Sequence, residues 1–400
     1  MTVAEAPGQP AWRTDGLPAS HREERMLRFR LISGSLLASA AIVALPIVLA
    51  QAADDTFMTM AKEYVAQAAA PVTTWTGPTT GPKAQTGKLV IYVSADQKNG
   101  GAQGVGDGAQ EAAKAMGWDF RILDGQGSVP ARSSALTQAI ALKPAGIILG
   151  TIDAAEQAPI IEQAVATGIK VVGWHSGPAP GKINGVPGVI TNITTDPLEV
   201  AKAAGLYAVV DSGGKANVML FTDSIYAIAT AKTNAEKAAV TGCAGCKVLS
   251  VEDTPIGDLS NRMGQLTTSL LSKYGKEWTY SIAVNDLYYD FSAPPLQAAG
   301  VDPAAGYPRQ ISAGDGSVPA FQRIRDKRYQ IATVAEPLHL HGWQCIDELN
   351  RAFAGQPPST YVAPVHLFTS ANIDKDGGAQ NIFDPGNGYK DEYRKIWGVK

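Results

Sequence analysis

The sequence predicts an α/β protein built from two doubly wound parallel-sheet domains. Short runs of continuous Val, Ile and Leu alternate with longer segments of helical character, and this alternation occurs in two successive sets. Continuous apolar runs are typical of strands in a parallel sheet, because helices cover both of its faces. The 41 glycines and 25 prolines suit the many tight turns that such a fold needs between strands and helices.

The first set of alternating segments begins with KLVIYVS, residues 88–94, a continuous apolar strand. Further strands are predicted at 119–123, 146–150, 170–174 and 189–192, with helices at 105–116, 130–142 and 154–167. In the second set, strands are predicted at 216–222, 247–252, 280–285, 310–313 and 331–334, with helices at 198–210, 227–240, 261–274, 295–299 and 340–353. Because parallel strands are joined by right-handed crossovers, each set forms one doubly wound domain.

The first 52 residues are predicted to be a leader and a secretory signal peptide. Four arginines between positions 22 and 30 precede the apolar run 31–52, which ends in Ala50-Gln51-Ala52. A basic flank, an apolar core and an A-x-A end are the parts of a cleavable signal, so cleavage after Ala52 is expected. The alternative is an uncleaved anchor, since the run approaches the roughly 20 residues that span a bilayer. The long leader also fits a start codon further downstream.

The composition of the whole chain limits the functions that are possible for the part that follows Ala52. No second apolar run of membrane length occurs there, so a soluble exported protein is expected. The net charge of −3 argues against nucleic-acid and membrane-surface partners, which need a basic face. About 350 residues, in a chain whose overall apolar content is 45%, are enough for two domain cores. A helix at 53–68 and a Pro- and Gly-rich strap at 70–82 precede the first strand.

The three cysteines predict one small disulfide. Cys243 and Cys246 lie in Gly-Cys-Ala-Gly-Cys-Lys ahead of a strand, and after export we expect them to clamp this loop. A redox motif or half of a zinc site is the alternative, but the chain has no second cysteine pair. Cys345 lies in a helical pattern and is expected to be a buried free thiol.

Polar and aromatic side chains follow the predicted strands in both domains. In doubly wound sheets, ligands bind beyond the carboxyl ends of the strands, so these positions are the candidate site. They are Asn99 in the loop after the first strand, Trp174 and His175, Asp223 and Tyr226 with Lys232 in the next helix, Asn285 and Tyr288, Asp315, and Glu336. Carboxylates, amides and an imidazole bond hydroxyl groups, and aromatic rings cover the C–H faces of a sugar.

From residue 86 to about 370, the chain resembles the type I periplasmic sugar-binding proteins, the ribose- and galactose-binding group that serves ABC importers. The order of short motifs carries the resemblance. These are Lys88–Ser94, Asp107–Ala113, Leu142–Ile148, Val171–His175, Thr194–Asp196, Val284–Asp286, Ala313–Gly316 and Ala332–Pro337. The resemblance implies a type I periplasmic binding protein fold, with two lobes joined by three crossings near 193, 336 and 359. Residues 86–193 and 337–359 then form the N-terminal lobe, and residues 194–336 and 360–400 form the C-terminal lobe.

The resemblance also implies roles for individual residues. Asn99, Asn285 and Asp315 match family positions that reach the sugar, and Lys232 roughly matches a ligand-binding arginine. Glu336 stands where the family usually has a glutamine beside the hinge.

Two departures from the family pattern affect the ligand. His175-Ser176 replaces an Asp-Arg pair, which changes the charge that the pocket prefers. Gly101-Ala102 replaces two stacking phenylalanines, whose part Trp174, Tyr226 or Tyr288 would take.

Structural roles remain open for several candidates. Asn285 and Asp315 are also suited to capping turns. His175 is either a ligand contact or a satisfied core histidine, and Glu336 either contacts ligand or pairs with Lys232.

Two further patterns are weaker. His339-Leu-His341 lacks partner ligands for a metal at suitable spacing. Residues 100–106 do not match the dinucleotide-binding G-x-G-x-x-G.

The sequence therefore predicts a monomeric, non-enzymatic binding protein, without cofactor or metal, that captures a sugar or polyol and delivers it to an ABC permease in the inner membrane. One alternative is a secreted glycoside-active enzyme with Asp315 and Glu336 as acid and base. Another is a ligand-sensing domain for a membrane receptor, which would share the fold and differ in its partner.

Overall fold

A computed structural model describes the backbone of residues 41–400 and the side chains of residues 55–400. The chain divides into two units, Met1–Ala50 and Gln51–Lys400, and the description below concerns the second. Most of the predicted leader and signal peptide lies outside the described residues, and the predicted cleavage site after Ala52 falls within helix α1 (Ala41–Ala68). Within the part of the chain that is described, no helix is both long and apolar enough to span a membrane.

The first lobe is built on a five-stranded, entirely parallel sheet of order β2-β1-β3-β4-β5. Its elements are β1 (Leu89–Ser94), α2 (Gly100–Ala115), β2 (Asp119–Asp124), α3 (Val129–Ala141), β3 (Gly146–Gly150), α4 (Ala158–Ala166), β4 (Lys170–Trp174) and β5 (Val189–Ile193). Residues Ser94, Gly150 and Trp174 are in register at the ends of neighbouring strands, so the loops that follow them lie side by side.

The second lobe is built on a six-stranded sheet of order β11-β10-β9-β8-β6-β7, in which only β11 is antiparallel. Its elements are α5 (Pro197–Asp211), β6 (Asn217–Thr222), α6 (Ala227–Thr241), β7 (Lys247–Asp253), α7 (Leu259–Tyr274), β8 (Tyr280–Ala283), α8 (Tyr288–Ala298), β9 (Arg309–Ser312), α9 (Val318–Arg325), β10 (Gln330–Ala335), β11 (His366–Thr369) and α11 (Ile373–Asp376). Phe221, Ala283 and Ser312 are in register, which brings together the loops that follow β6, β8 and β9.

Three connections join the two sheets and confirm the predicted fold class. The chain leaves the first sheet after β5 and returns after β10 through Glu336-Pro337. The returning helix α10 (Leu338–Phe353) packs on the first lobe, where Leu340 and Trp343 share a hydrophobic cluster with Val105 and Ala109 of α2. The third connection, residues 354–365, leads to β11 at the edge of the second sheet.

The last helix, α12 (Tyr389–Trp397), differs from the expected assignment of residues 360–400 to the C-terminal lobe. Its aromatic face packs on α10 in the core of the first lobe, where the rings of Trp397 and Trp343 stack at 5.4 Å. The indole Nε1 of Trp397 also donates a 2.7 Å hydrogen bond to Asp347 Oδ1. Burial of this face attaches the chain terminus to the first lobe.

In addition to the three connections between the sheets, the segment before β1 also runs from one lobe to the other. Ala61 of α1 packs against Leu206 and Ala239 of the second lobe. After α1, the predicted strap runs to the first lobe, where the ring of Trp75 lies 5.4 Å from that of Tyr393. The strap ends with hydrogen bonds to α10, among them one from the Asn350 side chain to the Pro82 carbonyl (3.0 Å).

The structure contains the predicted disulfide and the predicted free thiol. Cys243 and Cys246 are joined by a disulfide with Cα atoms 5.3 Å apart, in the turn between α6 and β7. Cys345 is a free, fully buried thiol in α10.

Candidate functional site

The loops at the carboxyl ends of both sheets face each other and enclose a small cavity. Both lobes contribute side chains to its wall. The lining residues are Asn99, Thr151 and His175 from the first lobe, and Tyr226, Ile228, Ala229, Lys232, Ile256, Val284, Asn285 and Asp315 from the second. The cavity measures about 30 Å³, which is room for one or two water molecules. The two lobes are therefore in close contact across the cleft.

Four ionisable side chains form a buried cluster beside this cavity, and no more than 4% of any of these residues is exposed. This charge cluster consists of His175, Lys232, Asp315 and Glu336. Lys232 Nζ lies 3.8 Å from both Asp315 Oδ1 and Glu336 Oε1. His175 Nε2 lies 2.9 Å from Glu336 Oε1, and its Nδ1 is 3.9 Å from Asp315 Oδ1. Each carboxylate thus has a cationic or imidazole partner, as burial of charge requires.

Secondary structure positions each member of the charge cluster. His175, Asp315 and Glu336 follow the ends of β4, β9 and β10, and Lys232 extends from the second turn of α6. Lys232 Nζ also donates a 2.8 Å hydrogen bond to the carbonyl of Ala313. His175 has a φ of +51°, a left-handed conformation that is uncommon for a residue with a side chain and is enriched at functional sites.

The cluster controls the protonation of its members. Burial by itself would raise the pKa of Glu336, but the nearby His175, the hydrogen bond from that histidine, and Lys232 outweigh burial and lower it to about 2. For Asp315 burial prevails and raises the pKa, although Lys232 and His175 oppose it. Burial also lowers the pKa of His341, behind Glu336, to about 4. The site therefore offers a firmly ionised carboxylate and a second carboxyl that accepts a proton more readily.

The two asparagines have local partners and still line the cavity. Asn285 donates from Nδ2 to Asp315 Oδ2 (2.8 Å) and accepts from the backbone N–H of Leu287. Asn99 caps α2 by accepting from the N–H groups of Gly101 and Ala102. A Cβ atom on Gly101 would lie 2.1 Å from Asp315 Oδ2, so glycine permits this close approach of the lobes.

Three residues predicted to contact ligand lie behind the cavity wall. Trp174 is fully buried in the first core and donates from Nε1 to His341 Nδ1 (3.1 Å), while its ring stacks under His175. Tyr288 is buried in the second core and donates its hydroxyl to the Thr254 carbonyl. Asp223 accepts from the backbone N–H groups of two residues that follow strands β6 and β7. Core packing and turn capping account for these three positions.

Sequence reasoning missed Arg132 and Thr151. Thr151 directly follows β3 and lines the cavity, so the rule that searched the residues after each strand could have found it. Arg132 lies inside α3, five residues beyond the turn that follows β2, where no local pattern marks it.

The donor atoms of His175, Asp315 and Glu336 lie within 4.8 Å of one another, a spacing that suits a metal ion. The ammonium group of Lys232 is 3.8 Å from both carboxylates and already supplies them with a cation. A divalent ion at this point would repel Lys232 at close range, so the arrangement favours hydrogen bonding over metal binding.

Glu236, one helical turn after Lys232, provides a prediction about stability. It is fully buried, neither carboxyl oxygen has a hydrogen-bond partner, and burial raises its pKa from 4.5 to about 8 despite Lys232. Between pH 4.5 and 8 the folded carboxyl keeps a proton that the unfolded chain releases. Stability therefore falls with rising pH across this window, by about 1.4 kcal/mol per unit at most.

We expect Glu236→Gln to remove this dependence, and to stabilise the protein more at pH 8 than at pH 5. Urea unfolding at both pH values measures the effect. Glu162→Gln, which removes an exposed carboxylate on α4, is the control. An unchanged pH dependence in Glu236→Gln would show that this carboxyl ionises in the folded protein.

Two parallel-sheet lobes, three connections and a buried polar cluster between the lobes define a two-lobed binding protein. The family described as "Periplasmic binding protein domain" matches residues 90–357. The chain therefore belongs to the periplasmic binding protein family. No curated protein sequence matches the chain.

Solved structures share the fold at low sequence identity. An ABC transporter solute-binding protein from Agrobacterium vitis with bound allitol aligns with a TM-score of 0.61 at 20% identity, covering 72% of this chain and 97% of that one. The glucose-galactose binding protein GanP from Geobacillus stearothermophilus gives 0.61 at 19% identity, with 72% and 99% covered. The arabinose-binding component from Shewanella sp. ANA-3, bound to L-arabinofuranose, gives 0.62 at 16%, with 72% and 93% covered.

Proposed function

We propose that this protein is the solute-binding component of an ABC importer and that it captures a sugar or a related polyhydroxylated molecule between its lobes. The charge cluster carries the proposal, because it places two carboxyl groups and an ammonium donor of the second lobe beside an imidazole of the first lobe at one point in the cleft. The structural neighbours that bind allitol, glucose or galactose, and arabinofuranose support this ligand class.

A hydroxyl group both donates and accepts hydrogen bonds, which suits this mixture of side chains. Asp315 and Glu336 accept from ligand hydroxyls, Lys232 donates, and the amides of Asn99 and Asn285 do both. Tyr226 supplies an aromatic ring at the same cavity. Because closure removes water, an analogue lacking one hydroxyl leaves a buried partner unsatisfied, and this penalty provides specificity.

Ligand entry requires the lobes to separate. A cavity of about 30 Å³ holds water but not a sugar, so the cleft must open at the three connections and close again on the ligand. Polar groups that now satisfy one another, such as Asn285 and Asp315, would exchange these partners for ligand hydroxyls.

The geometry favours binding over glycoside hydrolysis. Hydrolysis needs a general acid with a raised pKa beside a second carboxylate. The raised pKa of Asp315 and the lowered pKa of Glu336 would supply such a pair. Both carboxyl groups are, however, already bonded within the protein, Asp315 to Nδ2 of Asn285, and Glu336 to His175 and to the backbone N–H of Thr195. The second alternative, a ligand-sensing domain for a membrane receptor, would share this fold with an importer component and differ in its partner. Permease and ATPase genes beside this one would favour transport.

Export to the periplasm follows from the proposal, since an importer component must meet its ligand outside the inner membrane. The predicted signal peptide ending at Ala52 would direct it there, and the monomer would deliver ligand to the permease. Fusion of residues 1–60 to a reporter protein tests this localisation, and we expect fractionation to find the reporter in the periplasm.

Titration calorimetry against a panel of pentoses, hexoses, furanoses and polyols tests the binding function. We expect one compound to bind stoichiometrically and to remain chemically unchanged. Asp315→Asn should weaken that binding roughly 10- to 100-fold, because a hydrogen bond to a charged group contributes about 1.5–3 kcal/mol. Asp119→Asn, at an exposed position in β2, is the matched control. Product formation, or binding that Asp315→Asn leaves intact, would contradict the proposal.

A further inference from the structure

Arg132 is a fully buried arginine in the first turn of α3, within the first lobe. Its guanidinium makes a two-point contact with Glu156 of the same lobe, with Nε to Oε1 at 3.2 Å and Nη2 to Oε2 at 2.8 Å. Gln157 Nε2 donates a further 2.7 Å hydrogen bond to Glu156 Oε1. A two-point contact of this kind orients the planar guanidinium as well as neutralising it. Arg132 is therefore held in one direction by its own lobe.

The remaining edge of this guanidinium faces the second lobe. Nη1 of Arg132 donates a 2.6 Å hydrogen bond to the hydroxyl of Tyr226, 94 residues away in the chain. The guanidinium carbon also lies 5.3 Å from the centre of the Tyr226 ring, within range of a cation–π interaction. Burial raises the pKa of Tyr226 to about 12, so the phenol stays neutral and able to accept this bond.

Two further contacts between the lobes lie nearby. Asp153 Oδ2 accepts a 3.2 Å hydrogen bond from the backbone N–H of Ala227, the first residue of α6. The backbones of Gly127 and Gly257 approach so closely that a Cβ on Gly257 would lie 2.7 Å from the Gly127 carbonyl oxygen. All of these contacts join the first lobe to the second across the cleft, so opening of the cleft must break them.

We propose that Arg132 is a positioning residue that latches the two lobes together through Tyr226 and thereby sets the balance between open and closed forms. This inference rests on the proposed function in one respect, namely that closure serves ligand capture. The contact with Glu156 lies within one lobe and persists in both forms. The bond to Tyr226 exists only when the lobes meet, so it stabilises the closed form selectively. Because apparent affinity scales with the population of the competent form, the bond between Arg132 and the Tyr226 hydroxyl strengthens binding without itself contacting ligand.

The test is a double-mutant cycle of Arg132→Met and Tyr226→Phe. Tyr226→Phe retains the ring at the cavity and removes only the hydroxyl, so it preserves the fold more safely than removal of the arginine. We expect Tyr226→Phe to raise the Kd of the bound sugar about 10-fold, mainly through faster release. The double variant should resemble Arg132→Met alone, because both changes break the same contact. Arg121→Met, at an exposed position in β2, is the control.

A second readout does not need a ligand. Fluorophores at Lys114→Cys and Lys273→Cys, exposed sites on different lobes, report the distance between the lobes by energy transfer. We expect both latch variants to shift the unliganded protein toward longer distances. Unchanged distances together with additive effects on Kd would overturn the latch. If no sugar binds but the distances shift, the latch stands and the proposed ligand class fails.

Discussion

Lys232→Met is expected to eliminate measurable ligand binding and to lower the free energy of unfolding by about 3–5 kcal/mol. The ammonium group lies 3.8 Å from both Asp315 and Glu336, and all three residues are buried. Methionine has a similar length and keeps the packing, but it removes the ammonium group that lies close to both buried carboxylates. Removing one partner of a buried ion pair leaves the other charge buried and uncompensated, which costs more stability than the intact pair contributes. The loss of stability is therefore larger than that from breaking a surface ion pair.

Urea unfolding and calorimetry of the same samples measure these effects. Lys237→Met is the matched control, since Lys237 is exposed on the same helix α6. The deficit of Lys232→Met should be smaller at pH 5 than at pH 8, because burial raises the pKa of Asp315 and removal of the lysine raises it further. If the variant is as stable as the parent at pH 8, Lys232 does not compensate the two carboxylates.

Gly342→Ala is expected to lower the free energy of unfolding by about 3 kcal/mol, at the upper end of the usual cost of overpacking. A Cβ atom at Gly342 would lie 2.3 Å from the backbone nitrogen of Ala109 and 2.5 Å from the carbonyl oxygen of Val105. These are main-chain atoms of α2, so no side chain can move aside. Helices α2 and α10 must separate to admit one methyl group, which also loosens the core that contains Trp343.

The control for this substitution is Gly264→Ala in the interior of α7. A Cβ atom there meets nothing within 4 Å. Alanine should therefore stabilise the protein by up to about 1 kcal/mol through its higher helix propensity. Thermal and urea unfolding of the two variants should move in opposite directions. A neutral Gly342→Ala would show that α2 and α10 are less closely packed than their backbones indicate.

Most strands were predictable because their signal is local. The runs KLVIYVS and GIILG are continuous in Val, Ile and Leu, and the structure places strands β1 and β3 within them. Helix α2 begins earlier than predicted, at Gly100, because Asn99 caps its first turn and its glycines are tolerated where the lobes approach closely.

Two other differences also have local causes. Helix α8 begins at Tyr288, whereas the sequence predicted a helix only from residue 295. Pro294 and Pro295 lie inside the helix, and proline in a helix interior argues against a helix in propensity-based prediction. Strand β11 was not predicted at all, since its four residues are too short to show a period.

The candidate site was predicted in part for the same reason. His175 and Glu336 follow strands directly and Asp315 comes three residues after one, and the rule for doubly wound sheets identifies such positions. Trp174, Asp223 and Tyr288 have equivalent places in the sequence, yet they point into cores or cap turns. Alternation along a strand end decides which side chain reaches the cleft, and one residue of difference reverses it.

The amino-acid sequence by itself determined the two doubly wound lobes and the edges at which they meet, because apolar periodicity and turn residues act over a few positions. Only the tertiary structure decided which groups become partners. The pairing of Lys232 with Glu336 and the contact of Arg132 with Tyr226 join residues 104 and 94 positions apart. The docking of α12 on α10 joins residues 50 positions apart, at the hydrogen bond between Trp397 and Asp347. Such contacts depend on how whole lobes pack and close, and desolvation at those contacts gives the buried charges their altered pKa values.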